Sequence, residues 1–464
     1  MNGDVKLTLT MGADTLADLR AALLTPDGAE NFGVLLCAPA ATAEGTRLLV
    51  RDLVTAPRAA YRERLSYHLE IEPAFFNTIV ERALATGLHP VLVHSHPGAH
   101  EAQYSQSDDF GESRLLPVLS QLLPGRQVAS LLVTPYDIQG RTFRGDRFAP
   151  LRRIEVIGAR TQAFVPPRSD FRLADAGASE EAYDRQARAI GGTGMELVHR
   201  LRMGVVGAGG TGSAVLEQLA RLGVRNITII DPDIVEMSNL SRLWGSRPDD
   251  ARNKRPKVEV LAQHLRAISP GVEVRAIQAS VTRQSVIAEL RDRDVVFGCT
   301  DNHWSRAVLN RFAHQYLVPL VDMGVRLDAR DGVVSAAAGQ VTLAGAGLSC
   351  LRCSQVIDAE RVRVESMPDQ ERAALMREGY VAGSHDPAPS VISLNTTVAG
   401  IAVTSALSLF VNLTGAAPAP GLRYDARTGT TFVVATRHDA LCDVCSAEAG
   451  VIALGDLQPV TAYE

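Results

Sequence analysis

The 464-residue chain has few cysteines, no strong excess of either charge and no uninterrupted apolar run of membrane-spanning length. A net charge of −5 and a pI near 6.2 leave no electrostatic case for nucleic acid or an anionic membrane surface. The longest apolar stretch, around residues 398–411, is broken by Gly400, Thr404, Ser405 and Ser408. It falls short of the roughly 20 residues a bilayer-crossing helix requires. The first residues, Met1 to Lys6, show no basic segment followed by an apolar core, so a signal peptide is not expected and the protein reads as cytoplasmic. Repeats, coiled-coil heptads and low-complexity tracts are also missing. What remains is an ordinary globular composition, 46% hydrophobic and 21% charged, over a length that suggests about three domains.

The six cysteines are unevenly placed. Four form two pairs, Cys350-Leu-Arg-Cys353 and Cys442-Asp-Val-Cys445. In a reducing compartment such pairs read as metal ligands rather than disulfides, and a closed four-cysteine set suits a structural zinc. Cys37 and Cys299 sit in apolar surroundings and read as small core residues. Between Cys353 and Cys442 there is no cysteine at all.

Residues 94–108 carry the densest chemistry: His94-Ser-His96-Pro, seven residues, Ser105, two residues, Asp108. His94 ends an apolar run from Pro90, and on a strand the period of two would put His94 and His96 on one face. Asp108 returns from the following loop as a third ligand, which leaves one tetrahedral position for water and suits a catalytic zinc. Glu30, in Ala29-Glu-Asn-Phe-Gly-Val-Leu-Leu, is the candidate general base, and Ser105 a candidate oxyanion donor. This stretch resembles the JAMM (MPN+) zinc isopeptidases, whose pattern of Glu, His-Ser/Thr-His-Pro, seven residues, Ser, two residues, Asp is filled at every position. The resemblance covers roughly the first 150 residues. It implies zinc on His94, His96 and Asp108, Glu30 as general acid/base and the Ser105 hydroxyl as stabiliser of the tetrahedral oxyanion.

After a polar, Pro-bearing stretch the pattern changes to strand, glycine turn, helix, strand, the signature of a parallel βαβ unit. A strand from Arg202 runs into Gly207-Ala-Gly209-Gly210-Thr-Gly212, a helix covers residues 213–222, and a second strand ends at Asp231. The glycines allow a tight turn and close backbone approach to phosphate, and a carboxylate at Asp231 suits ribose hydroxyls. A nicotinamide dehydrogenase would show the same features. It would not need Asn239, Arg242 and Lys257 beside them, nor Cys299-Thr-Asp301-Asn302 at a later strand end. An adenylyl-transferring enzyme needs cations for a triphosphate and an aspartate oxygen for Mg²⁺.

This half resembles the ubiquitin-activating superfamily, in particular the molybdopterin-synthase and thiamine-sulfur-carrier (ThiF-type) adenylyltransferases, over about residues 184–450. By position the resemblance implies that Asp231 binds ribose, that Asn239, Arg242 and Lys257 hold phosphates, and that Asp301 binds Mg²⁺. Asp184-Arg185-Gln186 matches the family's arginine-glutamine pair, whose arginine reaches the ATP of a neighbouring subunit; a homodimer is implied. Many relatives carry a nucleophilic cysteine between the zinc pairs. Here that region offers only hydroxyls, Ser390 and Thr396 among them, with His385 nearby. A hydroxyl at its free pKa is a poor nucleophile. The acyl group is therefore expected to stop at the adenylate and pass to a partner thiol, or to go directly to a conjugating enzyme, with an oxyester on Ser390, Thr396 or another hydroxyl as the less favoured alternative.

The expected architecture is α/β throughout. Residues 1–160 form a JAMM-type metalloprotease domain, 161–183 a linker, and 184–464 a Rossmann-like, mainly parallel adenylation domain with the Cys₄ site. The expected activity is bifunctional, with a zinc (iso)peptidase and an ATP-dependent adenylyltransferase acting on a ubiquitin-like β-grasp protein. The expected cofactors are two zinc ions, ATP and Mg²⁺. The arrangement resembles fused enzymes of bacterial ubiquitin-like operons. The alternatives are sulfur-carrier activation with a carrier-processing peptidase, and a non-catalytic scaffold for a ubiquitin-like partner.

Overall fold

A computed structural model describes residues 6–164, 180–368, 370–372, 389–411 and 413–460. The chain divides into two compact units. The first takes Met1–Arg172 together with the short segments Gln315–Leu317 and Ile452–Pro459, and the second takes the rest. The two later segments correct the expectation that everything after residue 184 belongs to one domain.

The first unit is built on a nine-stranded mixed sheet. Its elements are β1 (Lys6–Gly12), α1 (Ala13–Leu23), β2 (Phe32–Thr42), β3 (Gly45–Thr55), β4 (Tyr61–Arg64), β5 (Leu69–Ile71), α2 (Pro73–Thr86), β6 (His89–Ser95), α3 (Gln106–Leu122), β7 (Ala129–Val133), β8 (Ile138–Arg144), β9 (Arg147–Pro150), β10 (Arg153–Ile157) and β11 (Gln162–Phe164). The strand order is β11-β10-β1-β3-β2-β6-β7-β8-β9, with β4 and β5 as a separate ribbon. Both faces are covered, and the period of two shows it. Val34, Leu36 and Ala38 of β2 join one apolar cluster with Phe75, Ile79, Leu116 and Leu119 of α2 and α3. Leu35 and Cys37 join the other, with Leu16, Leu19 and Leu23 of α1. On β6, Leu92 belongs to the α2/α3 face and Val91 and Val93 to the α1 face. His94 follows Leu92 onto the side where α3 lies. The expected linker is shorter than residues 161–183, because β11 pairs antiparallel with β10 and the next helix already begins at Glu180.

The second unit contains α4 (Glu180–Arg200), β12 (Arg202–Val206), α5 (Gly210–Arg221), β13 (Asn226–Ile230), α6 (Lys257–Ile268), β14 (Glu273–Ile277), β15 (Val295–Gly298), α7 (His303–Gln315) up to His314, β16 (Leu320–Arg330), β17 (Val333–Ala344), α8 (Ile392–Phe410), β18 (Gly421–Asp425) and β19 (Thr430–Val433). Its eight-stranded sheet has the order β14-β13-β12-β15-β16-β17-β18-β19. The first five are mutually parallel and the last three antiparallel. The chain winds outward from β12 to β13 and β14, then returns to the other side of β12 with β15. That reversal opens a crevice beyond the carboxyl ends of β12 and β15.

Helix α8 has 19 residues and is long and apolar enough to cross a bilayer, which the interrupted sequence run did not predict. Its Leu394, Val398, Ala399, Ala402, Val403 and Ala406 lie instead in the core with α5 and the strands. Gly339 of β17 makes this close packing possible, because a Cβ there would lie 2.0 Å from Val398 Cγ2.

Candidate functional sites

In the first unit the three expected ligands converge. Ligand atoms of His94, His96 and Asp108 lie within 4.8 Å of one another. His94 is the last but one residue of β6, whereas His96 lies just past the strand, with its N–H donating to Val133 O at 3.0 Å. Asp108 reaches them from the first turn of α3. Ser105 is the N-cap of that helix: its hydroxyl oxygen accepts from the Asp108 N–H at 3.1 Å, and its own N–H donates to Asp108 Oδ2 at 2.7 Å. This capping box aims the carboxylate. Asp108 Oδ1 is 3.2 Å from His94 Nε2, and Oδ2 is 3.4 Å from His96 Nε2. Burial opposes its charge, but the two imidazoles and the Ser105 N–H hold its carboxyl well below the usual range.

Two observations fit a metal here. His94 Nε2 is buried and lacks an aligned hydrogen-bond partner, a costly state for a ring nitrogen. The donor set, two imidazoles and a carboxylate, is that of an open zinc site. Glu30 lies ahead of β2 rather than on a strand, and its Oε1 is 3.6 Å from His96 Nε2. Burial pushes its carboxyl up against the pull of His96 and His94, as a proton carrier requires.

Ser95, which the sequence reading passed over, is what places Glu30. Its hydroxyl accepts from the Asn31 N–H at 3.0 Å and donates to Leu23 O at 2.8 Å, while the Ser95 N–H donates to Asn31 O at 3.1 Å. Its only sequence signal was its position between the two histidines.

In the second unit a cavity of about 820 Å³ occupies the crevice beyond β12 and β15. Gly207, Gly209, Gly210, Asp231, Asn239, Arg242, Lys257 and Asp301 line it. Gly207 has φ +94°, and a Cβ there would lie 2.5 Å from Cys299 O. Gly212 stands behind the loop, where a Cβ would lie 1.8 Å from Gly207 O. No side chain larger than hydrogen fits at either position. Asp231 latches the turn, its Oδ2 accepting from Ala208 N at 2.6 Å and its Oδ1 from Asp233 N at 2.8 Å, and burial pushes its carboxyl up. Lys257 Nζ pairs with Asp233 Oδ2 at 2.8 Å, and Arg242 donates to Ser238 O at 2.8 Å.

Arg185 is not brought to this cavity. It lies exposed on α4 of the same chain. The cavity instead gains His303, Arg306, Arg326, Arg361 and Asn395, none of which the sequence reading singled out. Asn395 comes from α8 and donates to Ser390 Oγ at 3.0 Å. Ser390 lines the cavity and Thr396 does not; His385 lies outside the described residues. Cys299 also lines the cavity, and burial pushes its thiol far up, so it remains a neutral, inert group.

The four paired cysteines form one cluster within 4.8 Å. The Sγ atoms of Cys350 and Cys442 are 3.7 Å apart, as are those of Cys353 and Cys445. Four sulfurs each about 2.3 Å from a shared tetrahedral zinc would be about 3.8 Å apart. The neighbouring Cys445 sulfur pulls the Cys350 thiol below its ordinary range.

Comparison with known proteins bears on the second unit. The ThiF family model matches residues 183–444. The chain is 30% identical over 271 residues to the SAMP-activating enzyme E1 of Haloferax volcanii, covering 58% of this chain and 89% of that protein. It is 32% identical over 141 residues to the sulfur carrier protein ThiS adenylyltransferase of Bacillus subtilis, covering 30% of this chain and 42% of the relative. It is 33% identical over 157 residues to the molybdopterin-synthase adenylyltransferase of Haemophilus influenzae, covering 33% and 64%. The glycine turn, the reversed strand order and the charged crevice are thus found within the matched span, and the chain belongs to the ThiF family.

Proposed function

We propose that the protein activates the C-terminal carboxylate of a ubiquitin-like β-grasp protein with ATP, and that its first unit cleaves a bond at such a protein's C-terminal tail. The observation that carries the first activity is the crevice, where Asn239, Arg242, Lys257 and Asp301 share one cavity with a glycine-rich turn. The tail carboxylate attacks the α-phosphorus of ATP, an acyl-adenylate forms and pyrophosphate leaves. Arg242 and Lys257 neutralise charge on the phosphates, the N–H groups at the start of α5 face them, and Asp231 accepts from the ribose. Asp301 would hold Mg²⁺, which supplies charge neutralisation of the triphosphate. Arg185 acts in the cavity of a second subunit, making the working form a homodimer. The setting is cytoplasmic.

Cleavage is supported by the convergence of His94, His96, Asp108 and Glu30. Zinc held by the first three would acidify a bound water. Glu30 would take a proton from the attacking water and return it to the leaving amine, and the Ser105 hydroxyl would stabilise the developing oxyanion. The Cys₄ cluster would hold a structural zinc. With Cys299 inert, no thiol in the cavity can accept the acyl group, so the adenylate is handed to a partner. A conjugating-enzyme thiol and a sulfur donor are the two acceptors, and the second gives the sulfur-carrier form of the same reading.

Intact mass after incubation with Mg-ATP and a mature β-grasp protein tests this. AMP-modified β-grasp protein with no adduct on the enzyme supports it. An adduct that survives thiol reductant but falls to mild base would move the acyl group onto a hydroxyl such as Ser390. Neither product would refute activation.

A further inference from the structure

Behind the histidine–aspartate cluster lies a second set of buried charges that neither proposed activity uses. Glu112 follows Asp108 by one helical turn on α3 and so shares its face. Its side chain is 10% exposed, as is that of Arg141 on β8. Glu112 Oε2 accepts from Arg141 Nε at 2.8 Å and from Ser130 Oγ on β7 at 2.7 Å. Arg141 is clamped between two rings, with its Cζ 3.6 Å from the Tyr104 centroid and 3.7 Å from that of Phe148. Its NH1 also donates to Asp109 Oδ1 at 2.5 Å. Every one of these groups is thereby held in place. The remaining carboxylate oxygen, Oε1, is directed at His94 and lies 3.9 Å from Nδ1.

Resting on the reading of His94, His96 and Asp108 as a zinc site, we propose that Glu112 is a positioning residue. It keeps the proton of His94 on Nδ1 and so leaves Nε2 bare for the metal, with Arg141 as the anchor that keeps Glu112 turned that way. The argument is one of tautomers. A neutral imidazole carries one proton, and only the nitrogen without it can ligate. Across 3.9 Å a carboxylate attracts the proton to Nδ1 by its charge rather than through a direct hydrogen bond, and it cannot donate one. His94 Nε2, on the other side of the ring, faces Asp108 Oδ1 at 3.2 Å, the carboxylate with which it would share the metal. Carboxylates behind ligating histidines act in this way generally, and losing them weakens metal binding about 10- to 100-fold.

Glu112→Gln tests the proposal because it keeps size and shape. Arg141 has only donors, so it would fix the amide with its oxygen toward the guanidinium and its NH₂ toward His94. That places a donor against Nδ1 and drives the proton to Nε2, where it blocks the metal. Zinc affinity is measured by chelator competition on the full chain. A His94→Ala variant serves as the blank that subtracts the cysteine cluster.

The expected result is about a 10- to 100-fold loss in Glu112→Gln, with the thermal midpoint of the metal-free protein unchanged. The d–d bands of the cobalt-loaded site should weaken in parallel, while the thiolate-to-cobalt bands of the cysteine cluster persist. If Glu112→Gln lowers the metal-free midpoint, the paired variant Glu112→Met with Arg141→Met removes both buried charges together. It lacks an acceptor for Nδ1–H, and the same loss is expected. Wild-type affinity in either variant overturns the role of Glu112. No difference between the wild type and His94→Ala would instead refute the zinc site itself.

Discussion

Residues 94–108 draw three metal-competent side chains from one strand end and the helix turn that follows it, 15 positions of sequence in all. The cavity of the second unit draws its groups from residues 206 to 395, contributed among others by loops after β12, β13 and β15, by α6, α7 and α8 and by β16. The first site is a local device. One strand exit and one capped helix start fix it, and the fold around it supplies burial. The second is a crevice that exists only because the strand order reverses at β12, so it depends on the whole sheet. The difference teaches where each is fragile: the first to single side chains, the second to the backbone of its glycine turn.

The most severe way to probe this is to disable each site in turn. Asp301→Ala is expected to lower adenylation about 10²–10³-fold, the effect of losing an electrostatic stabiliser, and to leave tail cleavage intact. Glu30→Ala is expected to lower cleavage about 10²–10⁴-fold, the worth of a general acid/base, and to leave adenylation intact. Pyrophosphate release and a fluorogenic tail substrate read the two rates. Loss of both activities in either folded variant would end the division into two independent sites.

The backbone half of the contrast is tested by two alanines in one turn. Gly212→Ala forces a methyl against Gly207 O, so unfolding of the second unit in urea should shift by several kcal/mol, about the cost of gross steric strain. A Cβ at Gly209 meets nothing within 4 Å, and Gly209→Ala should leave stability within about 1 kcal/mol. Equal losses would mean that the turn is not the rigid element described.

In the first unit, Ser95→Ala removes two buried hydrogen bonds and is expected to cost about 1–3 kcal/mol. It should also slow cleavage, although Ser95 faces no substrate, because Glu30 then loses its support. Unchanged cleavage in a measurably destabilised variant would separate Ser95 from Glu30.

The smallest effect is one of pH. Burial raises the Asp231 carboxyl, so acidification protonates it above the ordinary carboxylate value of about 3.9. Nucleotide affinity should be level near neutrality and fall as the pH drops through that raised value, and Asp231→Asn should flatten the curve. A fall that persists in the variant would assign the dependence to another group.

Much of both sites was legible because the chemistry is written in spacing. The histidine–proline motif, the glycine turn and the paired cysteines are set by ligand geometry and backbone sterics over a few residues. Ser95, Glu112, Arg141 and Asn395 were not legible. Each is an ordinary polar residue whose meaning comes from a partner on another strand or helix, with Asn31 against Ser95, Arg141 on β8 against Glu112, and Ser390 against Asn395. The domain boundary was misjudged for a related reason. Gln315–Leu317 and Ile452–Pro459 join the first unit by tertiary contact, which no composition shift announces.

By itself, then, the sequence determined the class of fold, the ThiF-type turn and its carboxylate, the cysteine cluster and the grouping of His94, His96 and Asp108, because each follows from local periodicity or from side chains a few positions apart. Only the tertiary structure decided that Glu30 stands ahead of its strand, that Cys299 reaches the cavity wall, that an apolar 19-residue helix is a core element, and that the buried Glu112 lies on the far side of the His94 ring. Those outcomes turn on burial and on which distant groups meet, and both are fixed when the sheets close and their faces are covered.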